Sequence, residues 1–229
     1  MNRRSILALA AATSVLVLAC SAVALGAGTK VTVSIEGRTH ALLAPTVVRT
    51  HSGSVTKGGA PAGACPATNA AGALDTATRH RWSAKYEAGY GDDLVESILG
   101  DTETGKAYYW GIWIDNRYAS AGICELKLHA GDRLLFAVDS VARHEHPIAV
   151  TGPRSAKTGV SFTVKVVWYS DAGVAQSLAH ARVHGSGVSA TTNSHGIATI
   201  TAAHAGTLAL QADRSGYIRA TPVSVRVTG

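Results

Sequence analysis

The sequence contains few cysteines, only Cys20, Cys65 and Cys124 among its 229 residues. No second cysteine or histidine lies at metal-ligand spacing around Cys65 or Cys124, which argues against a cysteine-based metal site. If Cys20 is removed or lipidated during export, the other two cysteines form one pair. In an oxidising compartment such a pair is expected to form a disulfide, so we predict a Cys65–Cys124 bond, with two buried free thiols as the alternative.

The sequence also lacks the motif of a catalytic nucleophile. It has no Gly-x-Ser-x-Gly segment, and the Gly-Ser-Gly at residues 185–187 is typical of a flexible turn. The His-Glu-His group at residues 144–146 is interpreted as a solvated linker in preference to a metal-binding pair. Asp92 and Asp93 lack calcium-loop spacing and are interpreted as solvated acids. We therefore predict no catalytic residue, no metal ligand and a non-enzymatic protein, with an extracellular hydrolase as the least favoured alternative.

Residues 147–229 contain no run of basic residues, although the formal net charge of the whole sequence is +6. Residues 147–229 contain seven basic and two acidic side chains, whereas residues 25–146 contain 12 basic and 13 acidic ones. This step in charge indicates two modules. The basic residues of the second occur singly and without interleaved aromatic residues, so we predict no nucleic-acid partner. An anionic cell wall or membrane surface suits this charge better.

The first residues of the chain are typical of an export signal. A short basic start precedes an apolar run at residues 6–19. Three outcomes stay open: cleavage near Ala24, lipidation of Cys20, or retention of residues 5–27 as a membrane anchor. We assign residues 1–27 to a signal peptide and expect no later membrane-spanning segment. All three outcomes place the rest of the chain outside the cytoplasm, at the cell surface or released.

Aromatic residues are scarce, and they cluster in residues 108–124, which contain two of the four tryptophans and three of the seven tyrosines. Because aromatic side chains bury the most area, we expect the core of the first module to be centred there. An aromatic and β-branched run at residues 108–114 predicts a strand, and residues 115–117 predict a turn. A second strand is expected to continue to Cys124.

This predicted hairpin also supplies the candidate ligand-binding residues. Because successive residues on a strand face opposite sides, Trp110 and Trp113 are predicted to lie on opposite faces, and one of them is expected to be exposed. We therefore name Trp110, Trp113 and Tyr118 as candidate ligand-binding residues. Burial in the core is the alternative, and it is the more common role of such residues.

The remaining patterns predict one helix and many short strands. Alanines and a leucine at residues 68–78 follow a proline and favour a helix. Residues 30–36 and 125–128 alternate between apolar and polar side chains, as half-buried strands do. Residues 147–229 contain short alternating strands separated by glycine-bearing turns, which is typical of a β-sandwich.

The order of segments in residues 29–140 resembles a known family. Val-Thr-Val-Ser-Ile-Glu-Gly at residues 31–37 opens the module, Trp-Gly-Ile-Trp-Ile-Asp-Asn at residues 110–116 leads to Ala-Gly-Ile-Cys at residues 121–124, and Gly-Asp precedes the last strand. This order resembles the transcobalamin-like C-terminal domain, a bacterial secreted α+β domain largely of unknown function. In the vitamin B12 carriers of animals the related domain closes over the cofactor with a large helical domain. This sequence contains no such helical domain, so we predict no cofactor and keep cobalamin-like small-ligand binding as an alternative.

The second module, residues 147–229, resembles the bacterial Ig-like domains of surface proteins through its segment at residues 192–219. The resemblance implies an Ig-like sandwich, so the predicted fold class is mainly β: a small α+β domain (mixed sheet plus one helix) followed by an Ig-like β-sandwich. The predicted function is an exported, non-enzymatic binding or cell-surface protein. Its partner is expected to be a surface polymer, a protein or a small ligand, with membrane contact only through a lipidated or uncleaved N-terminal segment.

Overall fold

The computed structural model describes residues 28–103 and 105–229. The predicted signal peptide and Cys20 lie outside the described residues, so the three N-terminal outcomes stay predictions. Within the described ranges, no helix has both the length and the apolar character needed to cross a bilayer.

The first module consists of a five-stranded mixed sheet, a three-stranded antiparallel sheet, one α-helix and a 3-10 turn at Lys57–Gly59. Its elements are β1 (Lys30–Glu36), β2 (Ala41–Arg49), α1 (Ala70–Thr78), β3 (Trp82–Glu87), β4 (Asp92–Ile98), β5 (Asp101–Thr102), β6 (Tyr108–Ile114), β7 (Arg117–Tyr118) and β8 (Arg133–Ser140). The larger sheet has the order β2-β1-β8-β6-β7, in which β1 and β8 run parallel and the other pairs antiparallel. The smaller sheet has the order β3-β4-β5. This is the predicted α+β arrangement.

Helix α1 packs unusually closely against the segment that precedes it. Its alanines favour the helical conformation, and it ends at Arg79, whose φ of 53° is left-handed. A Cβ atom on Gly72 would lie 1.8 Å from the carbonyl oxygen of Ala67, so only glycine fits at this position. The small residues of α1 therefore allow its backbone to reach the neighbouring chain.

The segment after β7 does not form the predicted strands. β7 ends at Tyr118, and the carbonyl oxygens of Ile123 and Leu126 accept hydrogen bonds from the N–H groups of the first two residues of α1. Those N–H groups have no partner inside the helix. The segment therefore caps the helix instead of extending the sheet. The strand predicted to lead to Cys124 is therefore confirmed only at Arg117–Tyr118, and the strand predicted at residues 125–128 is wrong.

The core of the first module draws on both sheets and on α1, and a disulfide lies within it. Cys65 and Cys124 are joined with a Cα–Cα distance of 4.4 Å, and both are buried. The predicted disulfide is thereby confirmed. It closes a loop with a sequence separation of 59 residues, which corresponds to about 4 kcal/mol in the chain-entropy account of disulfide stabilisation.

The second module is a sandwich of two sheets whose strands alternate between buried and exposed side chains. Its strands are β9 (His146–Thr151), β10 (Ser155–Lys157), β11 (Ser161–Tyr169), β12 (Ala175–Ser177), β13 (Arg182–Gly185), β14 (Val188–Thr191), β15 (Ile197–Thr201), β16 (Gly206–Asp213), β17 (Tyr217–Ile218) and β18 (Val223–Thr228). One sheet has the order β10-β18-β16-β13-β14, and the other has the order β12-β11-β9-β17 with β15 paired to β11. Val166, Leu210 and Val225 belong to the core that the two sheets share. The predicted fold class is confirmed as mainly β with an α+β part, and the Ig-like character of the sandwich stays a prediction.

The hydrophobic cores of the two modules are separate. The first takes its buried residues from residues 31–138 and the second from residues 148–227. The proposed boundaries, 29–140 and 147–229, agree with this separation and stay predictions.

A third and smaller cluster joins the modules. Trp113 lies on the face of the larger sheet that is turned away from the first core, and it packs with Ile218 of β17. Arg219 extends the contact, because its guanidinium donates hydrogen bonds to the carboxylate of Glu36 at 3.1 Å and to two carbonyl oxygens of the following turn. We call this contact between the two modules the junction.

Candidate functional site

The candidate ligand-binding residues lie on the β6–β7 hairpin, but they do not form an open face. Trp110 belongs to the first core and is 7% exposed, whereas Trp113 lies at the junction and is 0% exposed. The two indoles face opposite sides, as the alternation of the strand predicts. Ile218 of the second module covers Trp113, so the expectation that one tryptophan is exposed is wrong. The structure gives both tryptophans packing roles and leaves only Tyr118 half-buried.

Aromatic rings of both modules line up across the junction. The ring of His144 lies 4.7 Å from that of Tyr118 and is stacked on Trp113 at 6.4 Å, both measured between centroids. The ring of His146 lies 5.2 Å from His144 and 5.0 Å from Trp168 of β11. The two imidazoles are therefore held in place between side chains of both modules.

His144, His146 and Asp171 form a cluster that the sequence patterns missed, which we call the His/Asp cluster. Atom Nε2 of His144 lies 2.9 Å from Oδ1 of Asp171, and Nδ1 of His146 lies 3.4 Å from the same oxygen. Asp171 lies in the turn between β11 and β12, and its carbonyl oxygen accepts the N–H of Tyr118 at 3.0 Å. The histidine side chains are 30% and 28% exposed. The interpretation of residues 144–146 as a solvated linker is therefore wrong.

Asp139 at the end of β8 fixes the orientation of His144. Its carboxylate is fully buried, and Oδ2 accepts hydrogen bonds from the Tyr109 hydroxyl and from Nδ1 of His144, both at 2.6 Å. Its Oδ1 accepts the backbone N–H groups of Ser140 and Glu145 at 2.7 and 2.6 Å. Because an ionised carboxylate only accepts hydrogen bonds, Nδ1 of His144 carries a proton. Four donors thus satisfy one buried charge.

These contacts change the protonation of the groups around Asp139. Burial lowers the pKa of His144, but the hydrogen bonds and charges of Asp171 and Asp139 outweigh burial and raise it overall. Burial and the hydrogen bond to Asp139 raise the pKa of Tyr109, so its hydroxyl keeps its proton. Burial and the charge of Asp139 also raise the pKa of Glu145. The three side chains around the Asp139 carboxylate are therefore all shifted toward their protonated forms.

The His/Asp cluster supports two chemical states. With both of its nitrogens protonated, His144 bridges Asp139 and Asp171 as a charged donor. With neutral imidazoles, one nitrogen of His144, one of His146 and a carboxylate oxygen of Asp171 lie within 4.8 Å of one another, a donor set that suits zinc-type ions. The sequence signal was the His-x-His spacing. Asp171 could not be predicted as a third member of the cluster, because only the fold of the second module brings this distant residue to the linker.

A second group of acids lies beside the disulfide. Oδ1 of Asp92 accepts the N–H groups of Cys124 at 3.0 Å and of Asp93 at 2.7 Å. Both carboxylate oxygens of Asp93 are buried and have no hydrogen-bond partner in the part of the chain that the structure describes. Burial, and then the charge of Asp92, raises the pKa of Asp93 to about 6. The prediction that these two acids are solvated is therefore wrong.

The fold and the junction define a class of protein with two β-rich modules, an α+β domain docked on a two-sheet β-sandwich. Residues 72–140 match a family described as a domain of unknown function, DUF4430, which is associated with transcobalamin-like domains. The match runs from α1 to the end of β8 and includes Cys124 and Asp139. No curated protein matches the sequence. The Ig-like resemblance of the second module to bacterial surface proteins stays a prediction.

Proposed function

We propose that the protein is exported and acts outside the cytoplasm as a non-enzymatic binding protein, displayed on the cell surface or released from it. The apolar start of the sequence and the buried Cys65–Cys124 disulfide support this compartment. The junction is the observation that carries the binding role, because ligand sites lie preferentially in clefts between domains. Turnover that depends on one named side chain would contradict the proposal.

A cleft beside the junction is the proposed binding surface. It has a volume of about 450 Å³ and lies between the larger sheet of the first module and strand β9 of the second. Ser34, Asn116, Arg133, Tyr169 and Arg219 line it together with two threonines and apolar side chains, and none of its described lining residues is acidic. This lining favours a neutral or anionic ligand, such as an acidic unit of a surface polymer. The excess of basic residues in the second module would strengthen attraction to such a polymer.

An array of glycans that includes uronate-bearing and phosphate-bearing polymers tests this proposal. We expect saturable binding of the purified protein to anionic polymers, weakened roughly tenfold by Arg133→Ala, because a charge-assisted hydrogen bond contributes about 1.5–3 kcal/mol. Arg182→Ala is the matched control, since it removes an exposed arginine of β13 that does not line the cleft. Binding to no polymer, or equal weakening in both variants, would contradict the proposal.

Cobalamin-like small-ligand binding is the second candidate. The match of residues 72–140 to a family associated with transcobalamin-like domains favours it. A titration with corrinoids that changes neither the absorbance of the ligand nor the melting temperature of the protein would remove this candidate.

A further inference from the structure

We propose that His144, His146 and Asp171 bind a divalent transition-metal ion of the zinc type at the junction. The two histidines lie where the chain passes from the first module to the second, and Asp171 lies in the turn between β11 and β12. The ion would therefore fasten the linker to the second module. This site does not depend on polymer binding, so it can be tested separately from the proposed function.

The distances within the His/Asp cluster are close to those of a coordinated ion. Zinc bonds of about 2.0–2.2 Å at tetrahedral angles place neighbouring ligand atoms roughly 3.3–3.5 Å apart. The two contacts to Oδ1 of Asp171 are 2.9 Å from His144 and 3.4 Å from His146. Both contacts are therefore near this spacing, and the donor nitrogens of the two histidines lie within 4.8 Å of each other. The side chain of Asp171 is 57% exposed and free to adjust its position.

The surroundings of His144 are those of a metal ligand. Histidines that bind a metal through one ring nitrogen commonly donate the other N–H to a carboxylate, which fixes the ring and increases its basicity. The carboxylate of Asp139 accepts a hydrogen bond from the Nδ1–H group of His144 at 2.6 Å, so that Nε2 points to Asp171. Asp139 is itself held by the hydroxyl of Tyr109 and by two backbone N–H groups. The ligand nitrogen of His144 is thus oriented before any ion binds.

His146 provides the observation that hydrogen bonding alone does not explain. Its Nδ1 is buried and has no hydrogen-bond partner within the described residues, although it faces Oδ1 of Asp171 at 3.4 Å. Leaving a buried polar atom unpaired costs about 1–3 kcal/mol. A protonated His144 bridging Asp139 and Asp171 accounts for one imidazole only. A metal ion satisfies both imidazoles and the carboxylate at once.

The donor set selects the class of ion. Two imidazole nitrogens and one carboxylate oxygen suit zinc, copper or nickel, whereas calcium and magnesium prefer sites made of oxygen ligands. Three protein ligands leave one coordination position for water or for an external ligand. Because the histidine side chains are about a third exposed, solvent can reach that position.

Isothermal titration of the chelator-treated protein, prepared without a polyhistidine tag, tests the site with Zn²⁺ alone. We expect one Zn²⁺ per chain with micromolar or tighter affinity, and a higher melting temperature in its presence. His146→Ala and Asp171→Asn should each weaken binding roughly tenfold or more, and Asp139→Asn should also weaken it, because it removes the charge that orients His144. Ca²⁺ and Mg²⁺ should not compete.

His195→Ala and His204→Ala are the matched controls, since both remove an exposed histidine of the sandwich away from the junction. Circular dichroism of each variant checks that it is folded, and the absorbance of Co²⁺ bound in place of Zn²⁺ reports nitrogen and oxygen ligands directly. The proposal is overturned if folded wild-type protein binds no stoichiometric Zn²⁺. It is also overturned if the junction variants bind Zn²⁺ as tightly as the two controls do.

Discussion

Asp93 shows how burial sets the behaviour of a single residue. Its carboxylate is buried beside the disulfide, and within the described ranges neither oxygen has a hydrogen-bond donor. Burial and the charge of Asp92 raise its pKa from 3.8 to about 6. Between these two values the folded protein holds a proton that the unfolded chain has lost. The contribution of protonated Asp93 to the stability of the fold is therefore complete below about pH 4 and is lost as the pH rises through about 6.

Asp93→Asn should stabilise the protein at pH 7.5 and have little effect at pH 4. The amide replaces an ionised carboxylate with a neutral group of the same shape, and we expect a gain on the order of 1–2 kcal/mol at pH 7.5. Denaturant unfolding at both pH values measures the difference. Glu125→Gln is the control, because it neutralises a nearby but exposed acid. If Asp93→Asn changed the stability equally at both pH values, ionisation of the buried Asp93 carboxylate would not be what costs stability at pH 7.5.

At the scale of elements, the position of α1 depends on the absence of a side chain. Gly72 lies in the first turn of the helix, where its Cα approaches the carbonyl group of Ala67. Alanine favours a helix interior by about 1 kcal/mol over glycine, so propensity alone predicts that Gly72→Ala is stabilising. The close approach predicts the opposite, because a Cβ atom would lie 1.8 Å from the oxygen of Ala67.

Gly72→Ala should therefore destabilise the first module, by roughly 1–3 kcal/mol, since packed interiors resist an added methyl group. Gly89→Ala is the matched control, because a Cβ atom there would meet no atom within 4 Å. The midpoints of thermal unfolding of the two variants and the wild type decide the question. If Gly72→Ala were as stable as Gly89→Ala, α1 would not be held against Ala67.

At the scale of the whole molecule, the docking of the two modules depends on a buried ion pair. Glu36 of β1 is 4% exposed and accepts a hydrogen bond from Arg219 of the second module at 3.1 Å. Burial raises the pKa of Glu36 from 4.5 to about 6, although the charge and hydrogen bond of Arg219 act against this shift. The effect of desolvation on the pKa of Glu36 is thus larger than the opposite effect of Arg219. Above pH 6 the pair holds an ionised carboxylate that depends on its guanidinium.

Arg219→Ala should destabilise the protein more at pH 8 than at pH 5. At pH 8 it leaves an unpaired buried charge, for which we expect a loss of roughly 2–4 kcal/mol. At pH 5 Glu36 is mostly protonated and needs the guanidinium less, so the loss should be smaller. Denaturant unfolding of each variant against the wild type at the two pH values gives both numbers.

The double variant Glu36→Gln/Arg219→Ala provides the control for this pair. It removes the carboxylate together with its partner and should recover much of the stability lost at pH 8. A double variant no more stable than Arg219→Ala would mean that Arg219 acts through its two carbonyl contacts and not through Glu36.

Local patterns predicted the elements well because the strands and α1 are determined by nearby residues. The strand at residues 108–114 follows from its aromatic and β-branched side chains, and the turn after it follows from the polar residues at 115–117. Beyond Tyr118, the predicted strands before and after Cys124 failed, because their backbone groups bind the N-terminus of α1. The prediction that one of the two tryptophans is exposed failed for the same kind of reason, since Ile218 covers Trp113 from a distant part of the chain. The His/Asp cluster depends on Asp171, which no local pattern connects to the linker.

The parallel pairing of β1 with β8 sets how the protein would carry a mechanical load. β1 opens the first module and β8 closes it, and the two strands lie side by side in the same direction. A pull between the two ends of the described chain draws β1 by its first residue and β8 by its last. Because the strands are parallel, this force slides them past each other and loads all of their hydrogen bonds together instead of opening them one by one. The first module should therefore resist extension when the chain is held at one end and its second module is bound at the other.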